Sequence, residues 1–161
     1  MGRISFIFLL LLFAVGSLQL SSPSLASPAL GPREQEALHG LEQILDLWRD
    51  GRYDELYRRT SGARDGMEAF AGKLAAAPRR PACCWEKLQE AQVSLKGERK
   101  ALVRARFGFE GSLPGTRSVT TSVHLSKEGG VWTIGHAELL SLAKYSKKKN
   151  TYKYLPIQAA Q

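Results

Sequence analysis

The sequence predicts an α+β domain in which about three N-terminal helices pack on a curved antiparallel sheet of about four strands. Three observations lead there. Apolar residues recur at helical spacing up to Ala77, apolar and polar residues alternate from Ala91 onward, and turn signals separate the alternating runs at regular intervals.

Ahead of these elements stands "MGRISFIFLLLLFAVGSLQLSSPSLASPAL", with one basic residue, Arg3, before an unbroken apolar stretch from Ile4 to Val15 and then a Ser-rich run. This is the layout of a secretory signal peptide, and Ser24-Leu25-Ala26 offers small residues where a signal peptidase reads, so cleavage after Ala26 is expected. The apolar stretch is shorter than the roughly 20 residues of a spanning helix. An uncleaved membrane anchor is the alternative, weakened by Gly16 and the Ser/Pro-rich run. No cysteine follows the apolar run to carry a lipid. The expected organisation is a leader 1–26, a linker 27–32, one domain 33–142 and a basic tail 143–161. Removing 26 of the 161 residues leaves 135, enough for one core, and a secreted or periplasmic location would permit disulfides.

The helices come first. "PREQEALHGLEQILDLWRDG" starts at Pro32, carries acids in its first turn, aligns Leu38, Leu41, Leu45 and Trp48 on one stripe, and stops at Gly51. A short second helix spans about Tyr53 to Arg59 and turns Leu56 and one or both tyrosines inward. A third, about Arg64 to Ala77, puts Met67, Phe70 and Leu74 on one face and ends at Pro78.

The strands follow. Ala91, Val93 and Leu95 alternate with polar residues, "KGERK" turns the chain, and Ala101, Val103, Ala105, Phe107 and Phe109 alternate with Arg104 and Arg106. After "EGSLPGT", Val119, Thr121, Val123 and Leu125 alternate with Ser118, Thr120, Ser122 and His124; "KEGG" then leads into a fourth strand, "VWTIGHAELL". The regular spacing predicts a meander.

The pairing of "ILDLWRDGRYDELYRRTSG" with a closing "KEGGVWTIGHAELL" resembles the nuclear transport factor 2-like superfamily, here as an exported, bacterial-type member, over about Arg33 to Leu142. The resemblance implies a cone in which a sheet wraps helices, with a pocket at its open end that some members use for catalysis on small molecules and many others only for binding or dimerisation. Members often carry a small hairpin before the third helix; too few residues lie between Ser61 and Met67 for one, so the pocket mouth is expected to differ.

Trp48, Tyr53, Tyr57, Trp132 and His136 are the candidate pocket residues. Aromatic residues at these spacings line a cavity or simply build the core. His136, in phase with Trp132 and Ile134 on the expected last strand, points to the pocket or its rim, as a ligand partner or base, or as a satisfied histidine at a strand end. Isomerase-like relatives need a carboxylate as proton shuttle, whereas this chain has no Asp after Asp65 and places Glu98, Glu110 and Glu128 in turns, with neither Glu90 nor Glu138 set in an apolar pocket. A catalytic set is therefore not expected; the rival reading is an isomerase or hydratase with His136 as base and Tyr57 or Tyr53 as oxyanion donor. His39, His124 and His136 sit on separate elements without a ligand motif, so neither a metal nor a cofactor is expected.

Cys83 and Cys84 are adjacent, with Cα atoms about 3.8 Å apart, less than a disulfide's usual span of about 4.4 to 6.8 Å. Two free thiols, a vicinal disulfide stiffening the helix-to-sheet connection, and an intermolecular or redox role all remain open, with packing or a local staple preferred to chemistry. No C-x-x-C exists for thioredoxin-like work or haem attachment.

The formal net charge is +8, of which Arg3 carries one unit. Lys144, Lys147, Lys148, Lys149 and Lys153 lie in a tail without acids, which suits an anionic membrane or cell-wall surface; nucleic acid is not an expected partner outside the cytoplasm. The bland alternative is a solvated tail. The reading is thus an exported, non-catalytic domain for a small apolar or amphipathic ligand or an envelope protein, with the enzyme and a homodimerisation module using the exposed sheet face as rivals.

Overall fold

The computed structural model describes residues 30–110 and 116–144. The expected leader with its cleavage site, and Lys147, Lys148, Lys149 and Lys153 of the tail, lie outside them. The elements run α1 (Pro32–Arg49), α2 (Tyr53–Arg58), β1 (Thr60–Ser61), α3 (Met67–Ala75), β2 (Arg80–Pro81), a 3-10 turn (Cys84–Lys87), β3 (Leu88–Leu95), β4 (Lys100–Glu110), β5 (Thr116–Glu128), β6 (Val131–Gly135) and α4 (His136–Leu142).

Helix α1 forms where its local signals place it. Pro32 occupies the first turn, Glu34 takes the Gly31 N–H at 2.7 Å, and one face buries Ala37, Leu41, Ile44, Leu45 and Trp48. Strands β3 to β6 are the antiparallel meander that alternation predicts. A bulge between Gln89 and Gln92, with Glu90 at φ 53°, bends β3. The inner face of β4 and β5 supplies Val103, Ala105, Phe107, Phe109, Val123 and Leu125 to one core shared with the helices.

Four expectations need correction. The sheet has six strands rather than about four, because β1 adds in parallel to β6 and β2 antiparallel to β4, each only two residues long and so below any alternating pattern. The fourth strand stops at Gly135, and His136 opens a helix: Trp132, Thr133 and Ile134 are buried in succession, which ends the alternation, while Leu139, Leu142 and Ala143 are buried at helical spacing. Helix α3 begins at Met67 after Gly66, not near Arg64. Met67, in its first turn, is 44% exposed and not part of the apolar face that Phe70 and Leu74 form.

Arg59 ties the helices to the last strand. Its Nε donates to the Trp132 carbonyl at 2.8 Å, Nη1 to Gln43 Oε1 at 3.2 Å, and its own carbonyl accepts the Ile134 N–H at 3.0 Å. Partial burial lowers its pKa from the usual arginine value, yet the guanidinium stays charged. Arg59→Ala should therefore cost about 1.5–3 kcal/mol, since it leaves a part-buried carbonyl without its charged donor. A urea midpoint unchanged from wild type would show that the contact is worth nothing.

Candidate functional site

Because β6 ends at Gly135, it pairs with β5 only from Leu125 to Glu128, and residues 116–124 of β5 have no strand neighbour on that side among the described residues. Helix α4 lies there instead. Its Glu138 carboxylate accepts the His124 backbone N–H at 3.0 Å and the His124 Nδ1–H at 2.8 Å, so a side chain replaces the missing ladder bond. Leu139 and Leu142 enter the core. At the other end of α4, Arg79 Nη1 donates to the Leu142 carbonyl at 3.2 Å, where a cation suits the negative helix terminus, and its guanidinium stands 5.0 Å from the Phe109 ring centre.

Between α4 and β5 this leaves an open cleft of about 470 Å³, lined by Arg79, Val119, Thr121, Ser122, Val123, Glu138, Ser141, Leu142 and Lys144. Val119, Val123 and Leu142 make it partly apolar. Two cations, Arg79 and Lys144, face one carboxylate that His124 already engages. The balance favours an anionic group. A second cleft of about 460 Å³ is lined mainly by charged residues: Arg33, Glu36, Glu98, Arg99 and Lys127, with Gly130 and Trp132.

The residues expected to form one pocket fall into separate places. Trp48, 1% exposed, is inside the core with its ring centre 6.1 Å from that of Phe109. Trp132, 4% exposed, packs at the α1–β6 contact with the Lys127 ammonium 5.7 Å from its ring centre. Tyr53 is half-buried against the core. Tyr57 and His136 do come together: both rings pack on Phe70, at 5.3 and 5.7 Å, the Tyr57 hydroxyl donates to the Asp65 carbonyl at 3.0 Å, and His136 Nε2 is 3.5 Å from the Asp65 carboxylate. Lys73 also reaches that carboxylate. None of the five lines the α4–β5 cleft.

Sequence reasoning missed two of these groups. Asp65 lies on no strand and precedes α3; its place just before an apolar helical run is the signal the sequence offers for it. For Arg79, nothing local in the sequence marks it as a wall of the cleft. The cysteines themselves are joined: Cys83 and Cys84 form a vicinal disulfide at a Cα separation of 3.8 Å, with Cys84 at φ 56°, and no described cysteine is free. The described residues contain no group of three or more His, Cys, Asp or Glu placed to hold a metal ion, and no described helix is long and apolar enough to cross a membrane.

A bent antiparallel meander holds three helices on its inner face and opens beside a terminal helix. The fold is α+β. Similar solved structures include an NTF-2 like protein of unknown function from Shewanella oneidensis MR-1, with a TM-score of 0.42 at 13% identity over 62% of this chain and 92% of that one. Another is a putative polyketide cyclase from Xanthomonas campestris pv. campestris, with a TM-score of 0.36 at 15% identity over 69% of this chain and 98% of that one. No family model and no curated protein matches the sequence. Likeness at this level carries nothing about activity, so the function of this domain is argued from its own cleft.

Proposed function

We propose that the domain binds a small amphipathic molecule, apolar in its body and anionic at one end, in the cleft between α4 and β5. The observation that carries this reading is the composition of the cleft: Val119, Val123 and Leu142 for the body, Arg79 and Lys144 for the head, in a volume of about 470 Å³. That size falls among ordinary small-ligand sites. The leader pattern of residues 1–26 supports an exported protein, and Lys147, Lys148, Lys149 and Lys153 support its retention near an anionic surface.

Anilinonaphthalene sulfonate, an anionic amphiphile, is a suitable probe. Thr121→Trp should fill the cleft and abolish its binding, and Arg79→Gln should weaken it about tenfold, with the circular dichroism of both variants unchanged. Wild-type affinity in Thr121→Trp would sink the proposal.

A second reading, an isomerase or hydratase, draws on the approach of His136 to Asp65. The Tyr57 hydroxyl, however, already donates to a backbone carbonyl, which leaves its proton engaged. Chemical-shift changes on adding the probe separate the two readings. Shifts at Thr121 and Leu142 support the cleft, whereas shifts confined to His136 and Tyr57 support the second site.

A further inference from the structure

We propose that the outer face of the sheet is a separate binding surface for an acidic polysaccharide, with Trp85 as its stacking platform. Residues directly opposite in an antiparallel ladder share a face. Val103 opposite Val123 and Phe107 opposite Val119 turn to the core; the alternate pairs, Arg104 with Ser122, Arg106 with Thr120 and Gly108 with Ser118, turn away from it. Strand β3 adds Gln92 opposite Arg104 and Gln89 opposite Arg106. Hydroxyls and amides thus flank two guanidinium groups along the middle of the face. Arg106 is 3.0 Å from Glu90, whereas Arg104 is exposed and has no ion-pair partner among the described residues.

One end of this strip carries a raised wall. A Cβ on Gly108 would stand 2.1 Å from the Glu86 carbonyl oxygen, so the 3-10 turn Cys84–Lys87 rests directly on the outer face there. The turn presents Trp85 at 73% exposure, while the other two tryptophans are 1% and 4% exposed.

Its mount is fixed on several sides. The Cys83–Cys84 disulfide closes its N-terminal end, the Ala82 N–H donates to the Gly108 carbonyl at 2.9 Å, and the Thr116 hydroxyl donates to the Glu86 carboxylate at 2.7 Å. Lys87 reaches both carboxylate oxygens of Asp46 on α1, at 2.7 and 2.6 Å. An indole held open to water on such a mount loses little freedom when it binds, which is how aromatic anchors work at recognition surfaces. The adjacent cysteines thereby acquire a use: they brace the turn that carries the aromatic ring.

A ligand for this face must offer a flat apolar side to the indole, hydroxyls to the Ser, Thr and Gln side chains, and negative charge to Arg104. Arg104 lies four residues along β4 from Gly108, about 13 Å away, so one small molecule does not span both ends. Linked sugar rings bearing carboxylates meet every requirement. Single-stranded nucleic acid is gripped by a succession of aromatic side chains, and this strip has one. A second copy packed about a twofold axis would set the arginine strip against itself.

The full-length protein, titrated with polygalacturonate, neutral dextran and poly(dT), tests the proposal through tryptophan emission, which reports Trp85 as the exposed indole. A saturable change with polygalacturonate, absent with dextran and weakened by salt, is expected. Calorimetry on Trp85→Ala and Arg104→Gln should show affinity reduced about tenfold in each, with circular dichroism unchanged. No response to polygalacturonate overturns the proposal, as does undiminished binding by both variants, which would place the contact in the basic tail. Tighter, Trp85-dependent binding of poly(dT) overturns it in favour of nucleic acid. A dimer that Trp85→Ala dissociates in sedimentation overturns it in favour of a contact between copies.

Discussion

Phe70→Ala is expected to lower the free energy of unfolding by about 3–5 kcal/mol, the cost of emptying an aromatic site in a core. Phe70 has no exposed surface and is the common neighbour of the Tyr57 ring, at an interplanar angle of 69°, and the His136 ring. Its loss opens a void where α2, α3 and the start of α4 meet, and frees the Tyr57 phenol from the packing that aims it at the Asp65 carbonyl. Phe70→Leu should recover most of the loss, because it restores much of the volume. The check is urea unfolding with the slope held constant. A loss below about 1 kcal/mol would mean that the three elements do not close on this ring.

Gly108→Ala should cost about 3 kcal/mol, large for one methyl group. The group in its way is the backbone carbonyl of Glu86, which cannot swing aside as a flexible side chain would. Either the 3-10 turn lifts from β4 or β4 shifts away from its inner contacts at Phe107 and Phe109. Lifting the turn would also break the Ala82 to Gly108 and Thr116 to Glu86 hydrogen bonds and make the disulfide more accessible to a reductant. Thermal unfolding together with the rate of reduction by dithiothreitol reads both effects. Wild-type values in both would refute the close approach.

How much of this was legible beforehand depended on how local each signal is. The stripe Leu38, Leu41, Leu45 and Trp48 between Pro32 and Gly51 places α1 because cap, stripe and stop all lie within the helix. The same holds for β4 and β5, where alternation correctly turned Val103, Phe107 and Val123 inward. Where β6 gives way to α4, two periods compete over a few residues: Trp132 and Ile134 continue a strand through His136, while Leu139, Leu142 and Ala143 follow a helix. Contact with the core decides in favour of the helix.

The candidate site was less legible, since the approach of His136 to Asp65 and of Arg79 to Leu142 joins segments distant along the chain. Trp85 sits on an exposed turn that no periodic signal marks. What seats it there is Gly108, a residue whose contribution is the side chain it lacks.

The tie between Arg59 and Trp132, 73 residues apart, bears on how the chain folds. Hairpins β3–β4, β4–β5 and β5–β6 join neighbours in sequence and need only short loops closed. Helix α1, by contrast, reaches Arg59 through Gly40 and Gln43 within a short span of chain, but gains its seat against β6 only once residues 131–135 are present. The first described helix is therefore not fully covered until late, and the part of its surface that β6 seats on stays available to water, or to whatever escorts the nascent chain, until β6 arrives.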